Sequence, residues 1–245
     1  MAKLFRPQPK QLRFENGEVL FDGKIGIFPF TKQVPAKRKS KNRSARTIET
    51  KPIESITKAV TKEILINKII PAIIEKWPEG ASKCIYIQQD NAKPHILDDD
   101  PDFRAAANQN GFTMKLVQQP PNSPDTNVND LGWFRAIQSL QLQTACKTLD
   151  DLVKAVEKSF EDLSAVTLDN VFLSLQGCMV EIMKARGHNS YKLPHMGKEA
   201  LRRVAQLPHN LEVPKELAIE CISYLKDHGC IDGLEMIARA LGIEV

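Results

Sequence analysis

The order of elements in the middle of the chain limits the fold more than any other feature. Cys84-Ile85-Tyr86-Ile87 is a short, continuous apolar run, the pattern of a strand buried in a sheet that is covered on both faces. It leads directly into Gln88-Gln89-Asp90-Asn91. Asp100-Pro101-Asp102-Phe103 then supplies an N-cap, a proline at the first helical position and an early acid, and Gly111 closes that helix. Phe112 to Val117 reads as another strand, and a turn-rich loop from Gln118 to Asn129 leads into a helix carrying Leu131, Phe134, Ile137 and Leu140. Strand, helix, strand, loop and helix in this order predict an α/β layer architecture.

The flanks fit the same class. Glu18 to Phe21 and Lys24 to Phe28 surround Asp22-Gly23, and an Asp-Gly pair between apolar runs predicts a hairpin. From Ile53 the apolar period becomes helical, through Ile56, Val60, Ile64, Leu65, Ile69, Ile73 and Trp77, with Pro71 expected to kink or divide the helix. Beyond Cys146 the chain is predicted to be all-helical. Thr148-Leu149-Asp150-Asp151 has the form of a capping box. Further helices are expected over Leu168–Met183, Lys215–Lys226 and Leu234–Leu241. The expected division is therefore 1–146, an α/β domain, and 147–245, a helical region packing on it.

Composition excludes several classes. No run approaches eighteen apolar residues, so no membrane partner is expected. The start lacks the apolar core of a secretory leader. Five scattered cysteines without a C-x-x-C pair predict reduced, core-filling thiols in an intracellular protein, and the dispersed histidines argue against a histidine metal centre. The net charge is only +4. Its distribution is more telling: Lys32, Lys37, Arg38, Lys39, Lys41, Arg43 and Arg46 fall in one stretch that contains no acid. A stretch of this kind is read either as a solvated loop or as a phosphate-attracting one, and Lys37–Lys41 also has the form of a nuclear-import signal.

Two aspartates stand where chemistry is expected. Asp90 ends a strand, where α/β sheets place ligands, and Asp130 begins a helix, where the dipole favours a carboxylate. Each also has a purely structural reading, Asp90-Asn91 as a turn and Asp130 as an N-cap.

The wording of the two loops adds to this. Gln88-Gln89-Asp90-Asn91-Ala92-Lys93-Pro94-His95 resembles the second-aspartate motif of mariner-like DNA transposases, and the segment Gln119 to Leu131, with Asp130, resembles their third-aspartate motif. Thirty-nine residues separate the two aspartates. Phe21 to Phe30, Ala136 to Gln141 and Lys192 to Met196 are similar to further segments of the branch with that spacing. The resemblance runs from about Phe21 to Pro208.

The resemblance implies an RNase H-like α/β fold, a mixed sheet with flanking helices, lacking its first strand and followed by an α-helical C-terminal region. It implies cut-and-paste transposition of duplex DNA in the nucleus. Asp90 and Asp130 would be two of three catalytic carboxylates that hold Mg2+ (or Mn2+). Two such ions clamp the attacking and leaving oxygens of an in-line displacement, and magnesium takes hard oxygen ligands. Asp125 would help to shape the loop rather than bind metal; His95 would contact DNA or cap a loop, the structural role being the one expected. The basic loop 32–46, through Lys37, Arg38, Lys39, Lys41, Arg43 and Arg46, would contact DNA at the transposon ends or a partner copy in a homodimer.

One member of the pattern is missing. The family's first aspartate lies in an acidic–aromatic motif upstream of the hairpin; here Met1 to Pro7 resembles the strand after that motif. Of the nearby acids Glu15, Glu18 and Asp22, none lies in a matching motif. Weak metal binding and no strand cleavage by the chain alone are therefore expected. The alternative is a transposase-derived protein that binds DNA or dimerises without catalysis. A third reading, an enzyme shortened by a wrongly assigned start codon, is tested by looking for an in-frame acidic motif upstream.

Overall fold

Ile85 and Ile87 alternate with Cys84 and Tyr86, and this period of two sets the geometry around which the first half of the chain is built. The structure, a computed structural model, describes residues 12–13, 19–39 and 44–230. Among these residues the strands form three separate two-stranded sheets, and helices make up most of the remaining regular structure, so the protein is mixed α/β.

Strands β1 (Leu12–Arg13) and β2 (Val19–Phe21) pair antiparallel, as do β3 (Thr31–Pro35) and β4 (Ile48–Pro52). Strands β5 (Cys84–Gln89) and β6 (Thr113–Gln118) pair parallel, in register from Cys84 opposite Thr113 to Gln89 opposite Gln118. Between them, α3 (Pro101–Ala107) makes the crossover, with Asp100 accepting from the N–H groups of Asp102 and Phe103 as its N-cap. Asn110 and Gly111 then turn the chain through positive φ.

The β5–β6 pair is not covered on both faces, which corrects the sequence expectation. Ile85, Ile87, Met114 and Leu116 are buried, while Tyr86 and Val117 on the opposite face are 63% and 40% exposed. The run alternates in burial along its length, with Tyr86 exposed at its centre, so the pattern is that of a half-covered strand. The outer edge of β6 is partly blocked: Asp98 Oδ1 accepts the Leu116 N–H at 2.7 Å.

The buried face packs on a helix in three stretches, α1 (Lys58–Ile64), a π-helical turn (Leu65–Ile69) and α2 (Ile70–Lys76). Thr57 caps α1, so the helix starts later than Ile53 or Ile56. Pro71 has no N–H and its ring would strike the carbonyl of a regular preceding turn; the chain widens just before it, and the Ile70 N–H reaches back to Leu65 O. Ile69, Ile73, Ile87 and Phe103 are at most 2% exposed.

The Asp-Gly hairpin expectation also needs correction. β2 pairs with Leu12–Arg13, and no strand follows Gly23 until Thr31. Asp22 Oδ1 accepts the Lys24 N–H at 2.8 Å, a local turn that sends Ile25 into the core, where Lys76 Nζ holds the Ile25 carbonyl at 2.8 Å. The next antiparallel pair along the chain is β3–β4, so Lys32 lies in a strand rather than a loop.

Later elements are a 3-10 turn (Pro124–Thr126), a π-helical turn (Asn129–Trp133), α4 (Phe134–Gln141), α5 (Leu149–Asp162), α6 (Ala165–Lys184), α7 (Lys198–Arg203) and α8 (Lys215–Asp227). Both halves of the Thr148–Asp151 capping box are formed. The expected helix at 234–241 lies outside the described residues, as does the expected strand at 1–7. The described residues fall into two compact units: those up to Asn122 together with Gly132–Thr167, and Ser123–Leu131 together with those from Leu168. Helices α4 and α5 thus belong to the first unit, where Trp133 meets the Phe160 ring edge-on at 6.4 Å between centroids.

In the second unit, α6 buries Leu168, Phe172, Leu173, Gly177 and Cys178. It is the one helix among the described residues long and apolar enough to cross a membrane. Asn170 and Ser174 on its polar stripe bond to the segment around α7, which fits a core helix of this unit. Only Cys178 is buried; Cys84 and Cys230 are exposed, so the cysteines are not uniformly core fillers.

Candidate functional site

The two parallel strands end alike, Gln88-Gln89 on β5 and Gln118-Gln119 at the end of β6, and amides at such a strand end can tie neighbouring loops together. The Gln119 N–H donates to Gln89 O at 2.8 Å, which carries the ladder past the strands. Asn91 Nδ2 donates to Gln119 O at 2.8 Å. The openings of the two motif segments therefore lie side by side at the carboxyl end of the parallel pair, where α/β sheets present ligands.

Asp90 leaves β5 at this end. Its Oδ1 accepts the Ala92 N–H at 3.0 Å and lies 2.7 Å from His95 Nε2. The His95 side chain is 12% exposed and that of Asp90 39%. His95 is thus more than a loop cap: it engages the carboxylate itself. The His95 N–H donates to Ala92 O at 2.9 Å, and Gln89 Nε2 to Ile96 O at 2.5 Å, so the loop folds back over the strand end. Gln89 Oε1 is buried with no hydrogen-bond partner among the described residues.

Asp130 belongs to the second unit and Asp90 to the first. The Asp130 segment is organised by its own turns. Ser123 O accepts the Thr126 hydroxyl at 2.7 Å, Asn127 Oδ1 accepts the Asn129 N–H at 3.1 Å, and Asn127 Nδ2 donates to Asp130 Oδ2 at 3.0 Å. Asp130 is exposed in the first turn of its helix, as the dipole argument expects. Asp125 is half-buried in the preceding 3-10 turn.

Of the basic residues, Lys37, Arg38, Lys39 and Arg46 are exposed on the connection between β3 and β4. Arg46 has φ 64°, and its N–H donates to Ala36 O at 2.9 Å, while the Ala36 N–H donates to Thr47 O at 2.8 Å. Two more ladder bonds therefore carry the hairpin outward beyond its strands. Lys41 and Arg43 lie outside the described residues.

A pair of divalent ions needs several carboxylates converging on one point. Among the described residues no group of three or more His, Cys, Asp or Glu side chains is placed to hold a metal ion. Asp22, the nearest upstream acid that is described, turns to Lys24 instead; Glu15 and Glu18 lie outside the described residues. The described side chains do not assemble a two-ion centre.

Glu and Asp positions alone did not point to Gln89, Asn91 and Gln119 as the residues that shape the Asp90 loop. The repeated Gln-Gln at both strand ends was the available signal. No family model, no curated protein and no solved structure matches the chain.

Proposed function

We propose that this chain is a transposon-derived relative of mariner-like DNA transposases, with an RNase H-like core, which binds duplex DNA in the nucleus and does not cut it unaided. Asp90 and Asp130 are the metal-ligating carboxylates of that reading, with Mg2+ or Mn2+ as the ion, bound weakly for want of a third. The observation that supports it best is the joining of the Asp90 motif to the start of the Asp130 motif through Gln89, Asn91 and Gln119 at the end of a parallel strand pair. Sequence likeness supplies the motifs; the placing of Gln119, where the second motif opens, beside Gln89 and Asn91 at a strand end is independent of it.

The test is incubation of the purified chain with plasmid DNA carrying mariner-type ends in Mg2+ or Mn2+. Binding without nicking is expected. Robust nicking abolished by Asp90→Ala would show that the chain is a complete nuclease after all. Failure of Mn2+ to bind more tightly to the natural chain than to Asp90→Asn or Asp130→Asn would remove the two carboxylates from the assignment.

A second reading, a DNA-binding or dimerising protein without catalysis, is favoured by the exposed Lys37, Arg38, Lys39 and Arg46 on one projecting connection. It predicts salt-dependent duplex binding in EDTA that Asp90→Asn leaves unchanged and that neutralising these four residues weakens. Concentration-dependent sedimentation separates a homodimer from a monomer.

A further inference from the structure

A pocket of about 610 Å³ opens in the second unit, between α6 and the segment leading into α7. Its walls include Pro194, His195, Met196, Lys198, Glu199 and Arg203. Lys198 is the informative member. Its Nζ lies 2.5 Å from Ser174 Oγ on α6, and burial pushes its pKa down. Among the described residues no carboxylate forms an ion pair with Lys198 or with Arg203. Arg202, one residue earlier, is held by Asn170 Oδ1 at 2.8 Å, a neutral acceptor.

A lysine brought into a half-buried pocket without a carboxylate loses hydration and gains little in return. An anion entering the pocket restores that loss. Ser174 does not turn the pair into a nucleophile and its base, because its hydroxyl already donates to Asn170 O at 3.0 Å while Lys198 donates to it. The hydroxyl orients the ammonium.

We propose that this pocket binds a phosphate ester, with Lys198 and Arg203 as its cationic contacts and Ser174 as the residue that positions Lys198. The volume far exceeds a lone phosphate and suits a nucleotide-sized group, with Pro194 and Met196 as apolar wall. The ligand is either a free nucleotide or one unit of a nucleic-acid backbone, which share this chemistry. Glu199 lies at the same wall and sets a limit on total negative charge there. The proposal uses side chains of the second unit alone and holds whether or not Asp90 and Asp130 bind metal.

The full chain is titrated in EDTA with a fluorescein-labelled duplex, by anisotropy, and with a deoxynucleoside monophosphate, by competition and thermal shift. Lys198→Met and Arg203→Met are each expected to weaken binding severalfold, and for the duplex to reduce the slope of log affinity against log salt by about one. Lys198→Arg keeps the charge and is expected to retain most of the affinity, which separates lost contact from lost folding. Loss with the duplex identifies the backbone source; loss with the mononucleotide alone identifies a free nucleotide. On the natural chain, either ligand at saturation is expected to slow acylation of Lys198 by an amine-selective reagent, read by peptide mass spectrometry. Unchanged affinities for both ligands in Lys198→Met and Arg203→Met, or Lys198 acylation that neither ligand slows, overturns the proposal.

Discussion

The two units are held together internally by different physics. In the first, a parallel backbone ladder lays Ile85, Ile87, Met114 and Leu116 against Phe103, Ile69 and Ile73, all buried. The polar contacts there mostly finish what the apolar core begins, as when Thr61 Oγ1 donates to Pro94 O or Lys62 pairs with Asp100 and Asp102. In the second, no strand occurs among the described residues, and a long irregular segment is fastened to α6 by side chains. Asn170 holds Arg202, Ser174 meets Lys198, and Gln176 Oε1 accepts the Leu211 N–H at 2.8 Å while its Nε2 donates to Asn210 at 3.3 Å. Asn170, Ser174 and Gly177 follow one another at i, i+4 and i+7, one stripe of the helix. A sheet core tolerates sequence change as long as the pattern of burial persists, whereas a segment pinned by individual side chains depends on each of them.

The contrast breaks most decisively at Phe103, which is 0% exposed. Phe103→Ala is expected to cost about 3–5 kcal/mol through lost burial and the cavity left behind. Both tryptophans, Trp77 and Trp133, lie in the first unit, so emission reports its unfolding selectively. A denaturant midpoint for emission that stays within error of the natural chain would show that this core does not dominate the unit.

The next effect falls on the second unit. A Cβ on Gly177 would come within 2.9 Å of Pro194 Cγ, a ring atom with little freedom to move. Alanine ordinarily favours a helix interior over glycine by about 1 kcal/mol, but overpacking of this kind costs about 1–3 kcal/mol. Gly177→Ala is therefore expected to destabilise, and to lower the midpoint of the helical circular-dichroism transition more than that of tryptophan emission. Equal shifts in the two signals would erase the energetic distinction between the units; a stabilised variant would mean that the segment around Pro194 packs loosely.

The same contrast explains what is legible in the sequence. Elements set by local rules are: Asp100-Pro101 as a cap and first turn, Thr148 with Asp151 as a capping box, and the interruption of the helix at Pro71. Elements set by distant partners are not. Asp22-Gly23 carries a turn signal, yet the strand before it pairs backwards with Leu12–Arg13, because the chain after it sends Ile25 into the core. The apolar run at Cys84 suggests a doubly covered strand, although whether Tyr86 is covered depends on what packs above it. The motif locates the Asp90 loop, but the Asn91 amide that ties it to the neighbouring strand end acts across 28 residues of sequence. The fastening of 188–214 onto α6 leaves no periodic trace, since it depends on single polar residues.

A smaller effect sharpens the account of local rules. Thr148 Oγ1 accepts the Asp151 N–H at 3.1 Å, and Asp151 Oδ2 accepts the Thr148 N–H at 3.0 Å. Thr148→Ala is expected to lower stability by about 1 kcal/mol. Since α5 belongs to the first unit, the loss should appear in tryptophan emission. A shift confined to the helical signal would mean that the start of α5 frays alone while Trp133 and Phe160 stay packed.

The smallest effect concerns charge. Asp100 is held below the usual carboxylate range by its hydrogen bond from Lys62, despite partial burial, with the Phe103 and Asp102 N–H groups adding to the effect. A carboxylate with a depressed folded-state pKa contributes stability above its unfolded value and loses it as pH falls through the folded one. Stability of the first unit is therefore expected to decline as acid titrates Asp100, modestly, because solvent screens a surface pair. Asp151 is depressed in the same direction by Thr148, so it contributes to the same acid limb. Asp100→Asn keeps an oxygen for the α3 N-cap but removes the charge, which isolates the Lys62 pair from the cap. The variant should lose stability near neutral pH and show a flatter acid limb, with the two chains converging at low pH. Parallel acid limbs in the two chains would assign the acid sensitivity to other carboxylates and leave Asp100 only its role as a cap.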